Sequence, residues 1–196
     1  MRPDSIRVAL LITDALERLS IAYAVEGSLA NSVYGIARSS IEANIIADMR
    51  PEHVEPFVAS LARDFYADPH RIQDAIAQRG SFSLVHYASK FNVDVIIPQL
   101  RPFDQMQLQR RKASVISTDP PRQVSVTSPE DAILSKLERI LARRGGPESA
   151  PGSPRPLAEV AAMLKAQAGL LDLVYLRRWA KELNIEALLE RALKQP

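Results

Sequence analysis

No cysteine occurs anywhere in the chain, which excludes both a disulfide framework and a thiolate zinc site. Long apolar stretches are missing too: no uninterrupted run approaches the ~20 residues needed to cross a bilayer. The first twenty residues carry Arg2, Asp4, Arg7, Asp14, Glu17 and Arg18, so they contain no apolar core of a signal peptide. A cytoplasmic protein with no membrane partner is the resulting expectation. Neither sign of charge dominates. With 25 Lys and Arg against 23 Asp and Glu, the net charge is only +2, too little to argue for nucleic acid. The sequence pI of about 9.0 rests on those few charges. No internal repeat is present. What remains, 46% hydrophobic and 24% charged, is the composition of an ordinary globular protein. At 196 residues it has room for one domain and a small helical appendage.

The pattern along the chain alternates between helix and strand. From Asp4 to Ser20, Ile6, Leu10, Leu11, Ala15 and Leu19 fall at helical spacing, with Asp4 as N-cap. Ile21 to Val25 reads as a short buried strand, and Ser28 to Tyr34 as a helix opened by the Gly27-Ser28 turn. Ile41 to Asp48 alternates, with Ile41, Ala43, Ile45 and Ala47 on one face and Glu42, Asn44, Ile46 and Asp48 on the other. Pro51 suits a first helical turn, and Val54, Phe57, Val58 and Leu61 form an apolar stripe behind it. Ser81 to Tyr87 and Phe91 to Ile97 predict a hairpin around Ala88-Ser89-Lys90. A helix is expected over Phe103 to Arg111, and short strands at Val115 to Ile116 and Gln123 to Val126.

Ser128-Pro129-Glu130-Asp131 is a strong helix start. Serine supplies the cap oxygen, proline the first helical position, and two acids meet the positive end of the dipole. That helix runs to about Arg144. Residues 145–156, GGPESAPGSPRP, have linker composition, with three glycines and four prolines. Beyond them, helical patterns cover Leu157 to Ala168, Leu171 to Leu183 and Ile185 to Leu193, with Tyr175 and Trp179 packed among them. The expected organisation is a main domain over 1–145 and a C-terminal helical cap over 157–196.

The segment from Gly27 to Asp48, GSLANSVYGIARSSIEANIIAD, combines a Gly-Ser turn, a short helix, a loop with Arg38 and a strand. A turn that opens a helix presents free amide hydrogens to an anion, and the Ser28 hydroxyl adds a donor. Its bland reading is a helix cap. On the strand, Glu42 and Asn44 stand one residue apart and so point to one face. Asp94, in Asn92-Val93-Asp94-Val95, sits in the following hairpin; its bland reading is a solvated acid on an exposed strand.

This spacing resembles the core motif of the nucleotidyltransferase superfamily, in its small bacterial branch of AbiEii/AbiGii-type abortive-infection toxins. Ser28 stands 14 positions ahead of Glu42, as that motif requires. The resemblance implies an α/β (α+β) fold, a mixed β-sheet flanked by helices. It also implies a magnesium site at Glu42, Asn44 and Asp94, which would be the catalytic residues too. Gly27, Ser28, Arg38 and Lys136 would then bind nucleotide, Lys136 because it follows the Pro129-Glu130-Asp131 helix start as in that family. An exposed loop charge is the ordinary reading of Arg38, and a solvated helix lysine that of Lys136.

Three positions depart from the family pattern. Glu42 replaces an aspartate and lengthens its reach by one methylene, and Asn44 replaces a carboxylate with a neutral amide. Glu26 stands where relatives often have glycine; its carboxylate either repels a triphosphate or turns into the sheet. The implied function is weak binding of a nucleoside triphosphate and magnesium with impaired catalysis. An active form would transfer a nucleotide to a protein or RNA hydroxyl. The alternative is a noncatalytic interaction protein of a toxin–antitoxin-like system, docking an antitoxin-like partner. His53, His70 and His86 lack ligand spacing, and the basic runs Arg110-Arg111-Lys112, Arg143-Arg144 and Arg177-Arg178 read as solvated faces before RNA contacts.

Overall fold

Strand alternation builds the sheet. In the computed structural model, which describes residues 3–34, 43–118, 120–143 and 155–195, β1 (Tyr23–Gly27) pairs antiparallel with β2 (Ala43–Ala47). Beside β2 lies β5 (Asn92–Ile96), parallel to it, and β5 forms the predicted hairpin with β4 (Ser81–His86). The two-residue β3 (Phe65–Tyr66) closes that edge. On the other side of β1, β7 (Pro121–Val126) runs parallel to it and pairs with β6 (Lys112–Thr118), whose ladder is irregular between Val115 and Ser117. The order β3-β4-β5-β2-β1-β7-β6 makes a seven-stranded mixed sheet.

Register decides what each face carries. Phe82, Val95, Ile45, Val25 and Val126 are cross-strand partners in one row, and all five are buried. One residue along each strand the side chains turn over, and the partners become Ser83, Asp94, Asn44 and Glu26. A dry row and a polar row therefore lie back to back.

The helices supply the rest of the core. In α1 (Pro3–Arg18) the buried side chains are Val8, Ala9, Ile12, Ala15 and Leu16, together with Ser5 and Thr13. Ile6, Leu10, Leu11 and Leu19 are only half-buried, so the stripe expected from the sequence is rotated from the true one. The helix is apolar over most of its circumference, and among its described side chains Arg7, Glu17 and Arg18 mark the exposed side. Helix α2 (Ser28–Val33) follows β1. A 3-10 turn at Pro51–His53 leads into α3 (Val54–Leu61), which buries three of the four stripe residues, Val54, Phe57 and Leu61, and leaves Val58 half-buried.

An unanticipated helix, α4 (Pro69–Gln78), has Asp68 as N-cap, its carboxylate accepting from the backbone N–H of His70 and Arg71. It buries Ile72, Ala75 and Ile76, and ends at Arg79 in the left-handed conformation. Helix α5 (Pro102–Gln109) matches the expectation within two residues.

Ser128 opens α6 (Pro129–Arg143), followed by α7 (Arg155–Ala166), α8 (Leu173–Glu182) and α9 (Glu186–Leu193). The chain divides into two compact units, Met1–Val33 with Arg38–Thr127, and Tyr34–Ala37 with Ser128–Pro196. The first contains the sheet. The second is helical over its described residues, and α7, α8 and α9 correspond to the three expected C-terminal patterns. Residues 144–154, most of the predicted linker, lie outside the described residues.

Candidate functional site

The turn between β1 and α2 requires its glycine. Gly27 has φ of 78°, in the left-handed region, where a side chain would be strained. Ser28 is the first residue of α2. Directly before the turn, Glu26 is 2% exposed, and its Oε1 accepts a bond of 3.4 Å from Gln107 Nε2 of α5, itself buried. The Glu26 carboxylate is therefore buried, and it stands on the polar row beside Asn44.

Asn44, half-exposed, is the strand partner of Glu26 on one side and of Asp94 on the other. Asp94 is exposed, and its Oδ1 accepts the Ser83 hydroxyl at 2.6 Å from the facing hairpin strand. Neighbouring strands lie ~4.8 Å apart, so Asn44 and Asp94 are side by side, while Glu26 and Asp94 are separated by about twice that. Asn44 and Asp94 thus share a row and a face. Glu42 and Arg38 lie outside the described residues.

A nucleotidyltransferase-type site implies a divalent ion, and the donor chemistry can be compared with that need. Magnesium takes hard oxygen ligands in a fixed octahedron. Asp94 offers one carboxylate, already bonded once to Ser83, and Asn44 offers a neutral carbonyl. Among the described residues there is no group of three His, Cys, Asp or Glu side chains that could hold a metal ion. The described donors of the proposed set are therefore one carboxylate and one amide carbonyl, with Glu42 outside the described residues.

Lys136 is on α6 in the second unit, where its Nζ pairs with Glu159 Oε2 of α7 at 2.5 Å. The helix start before it forms a buried polar cluster of its own. Ser128 Oγ accepts the Asp131 N–H at 3.2 Å, the cap oxygen that the sequence predicts, and donates to Asp131 Oδ2 at 2.8 Å. Tyr175 of α8 donates its hydroxyl to Asp131 Oδ1 at 2.6 Å. Glu130 Oε1 accepts the N–H of Asp172, the N-cap of α8, at 3.1 Å. The two acids thus tie the start of α6 to the start of α8. Burial, followed by the charges of Glu130 and Asp131, pushes the Tyr34 hydroxyl pKa well up, while the Tyr34 carbonyl accepts from Gln167 Nε2 at 2.8 Å.

Ser83, Gln107 and the Glu130–Asp172 link are absent from the sequence reading. Ser83 was within reach, because a hairpin turning at residues 88–90 sets Ser83 opposite Asp94. Gln107 carried no local signal.

No protein-family model and no curated protein matches the chain. Solved structures do. The solution structure of the antibiotic-resistance factor ANT(2'')-Ia matches with a TM-score of 0.55 at 12% identity, covering 100% of both chains. An antigenic nucleotidyltransferase-like protein from Paracoccidioides brasiliensis matches with a TM-score of 0.50 at 15% identity, covering 95% of each. A proposed nucleotidyltransferase from Thermotoga maritima is a looser match, with a TM-score of 0.49 at 14% identity over 74% of this chain and 90% of its own. Fold is what the first two likenesses establish. The chain has a nucleotidyltransferase-like fold, a mixed sheet flanked by helices.

Proposed function

We propose that this chain is a nucleotidyltransferase-fold protein that binds a nucleoside triphosphate and a divalent ion weakly, with impaired catalysis. One observation carries the reading: the residue beside Asp94 on the polar row is Asn44, an amide where a metal-dependent transferase needs a carboxylate. Asp94, Asn44 and Glu42 are the residues that would hold magnesium. A bound ion there would neutralise triphosphate charge. The Gly27-Ser28 turn would receive phosphate, and Arg38 is the further cation that the motif assigns to it. Any residual transfer would be to a protein or RNA hydroxyl.

The alternative is a noncatalytic interaction protein, whose partner would be antitoxin-like. Two features favour giving it weight: a buried carboxylate, Glu26, immediately before the turn, and the engagement of Lys136 by Glu159.

Titration calorimetry with a nonhydrolysable triphosphate, with and without magnesium, separates the two. The leading reading expects weak, magnesium-dependent binding that Ser28→Ala lowers by about 1 kcal/mol, roughly fivefold. No binding to the unmodified protein would leave the noncatalytic reading standing.

A further inference from the structure

The turn between α7 and α8 leaves an aliphatic tip uncovered. It passes through Gly169, at φ of 80°, and presents Leu170 and Val174 at 78% and 81% exposure, with Leu173 at 42%. Helix α8 starts here, capped by the Asp172 carboxylate on the Tyr175 N–H. Its inward side chains, Leu176, Trp179 and Ala180, are buried. Its outward ones continue from Val174 through Arg177, Arg178 and Lys181, all exposed. At 3.6 residues per turn these four span an arc of about 100°, with no acid inside it. The nearest acid is Asp172 in the tip itself, exposed, its carboxylate held on the Tyr175 N–H; beyond it come Glu182 at the margin of the arc and Glu190 of α9, which takes one ion pair from Arg177 at 3.2 Å. Arg178 and Lys181 lie ~6 Å and ~10 Å along the axis from Val174.

We propose that this tip is a peripheral docking surface for an anionic lipid bilayer, inserting Leu170, Leu173 and Val174 at the acyl boundary while Arg177, Arg178 and Lys181 meet the headgroup charge. The axial spacing matches the 5–10 Å depth to which interfacial helices sink. Cations on the same face complement an anionic leaflet. A second copy of the chain fits worse. Like faces would set cation against cation, and three aliphatic side chains fall short of the ~800 Å² per partner of a stable interface. Nucleic acid would use the cations and leave the aliphatics against its own polar backbone. No helix of the described residues is long and apolar enough to cross a membrane, and a surface contact needs none. This inference is independent of the nucleotide site.

The test is flotation of the full chain with vesicles of phosphatidylcholine alone and of phosphatidylcholine mixed with phosphatidylglycerol. Retention is expected on the anionic vesicles only, falling as salt rises. Leu170→Asn with Val174→Asn should lower it roughly tenfold. Arg178→Gln with Lys181→Gln should lower it about 30-fold, from ~1 kcal/mol for each cation. Both pairs are exposed, and an unchanged urea midpoint verifies that they fold. Equal retention on neutral and anionic vesicles, or none at low salt, overturns the proposal. So does a concentration-dependent mass without vesicles that Val174→Asn abolishes, which assigns the tip to a second copy.

Discussion

Replacing Asp131 by alanine should loosen the helical unit far more than a surface acid would. Asp131 is fully buried, and its carboxylate accepts from Ser128 Oγ and Tyr175 Oη at 2.8 and 2.6 Å. Hydrogen bonds to a charged acceptor contribute about 1.5–3 kcal/mol each, and an acid in the first helical turn adds about 0.3–1 kcal/mol. The loss should therefore be at least about 3 kcal/mol, a large part of the stability of a small domain. Asp131→Asn keeps the shape and one acceptor, so about half of that loss is expected. The assay is urea unfolding followed through Trp179, the chain's single tryptophan, which is buried in the same unit with its ring 6.2 Å from that of Tyr175. With a urea slope near 2 kcal/mol/M the midpoint should fall by at least about 1.5 M for the alanine variant. A loss below about 1 kcal/mol would refute the argument that Asp131 fastens α6 to α8.

Other outcomes follow from single contacts. Gly27→Ala places a side chain at φ of 78° and should cost about 1–2 kcal/mol, read as a lower melting temperature. The Tyr23 hydroxyl, raised by burial and by its bond to Glu17, and the Tyr34 hydroxyl, raised by burial and the Glu130 and Asp131 charges, both stay protonated in the folded chain where the unfolded chain ionises. Their contribution is complete below the ordinary tyrosine value of about 10, and stability should fall as pH rises above it. Alkaline unfolding monitored by tyrosinate absorbance checks this, and Tyr23→Phe should flatten the decline.

Local chemistry was legible where the pattern is short-range. The hairpin of β4 and β5, the alternation of β2 and the Ser128 cap follow from side-chain period, turn length and cap residues. Helix α4 had readable signals, the Asp68-Pro69 start and the Ile72–Ile76 spacing, but only one and a half turns of pattern support them. Other features depend on partners distant in sequence. The parallel pairing of β1 with β7 joins Val25 to Val126 across a hundred residues, and nothing local encodes it. The same holds for the candidate site. The spacing of Asn44 and the strand carrying Asp94 could be read off the chain, whereas the burial of Glu26 under Gln107 needed the packing of α5.

The central claim is that the metal position is weakened by Asn44, and titration of magnesium tests it most directly. The unmodified chain and a Glu42→Asp, Asn44→Asp double variant are compared by calorimetry, followed by a labelled-triphosphate transfer assay. An aspartate at position 44 stands beside Asp94, and with the second one at position 42 it restores the carboxylate pair that the motif calls for, so the variant should bind magnesium more tightly and gain transfer. Without the ion its crowded like charges should lower stability, and magnesium should restore it. Tight magnesium binding and full transfer by the unmodified chain would contradict the account, because Asn44 would then be a competent ligand.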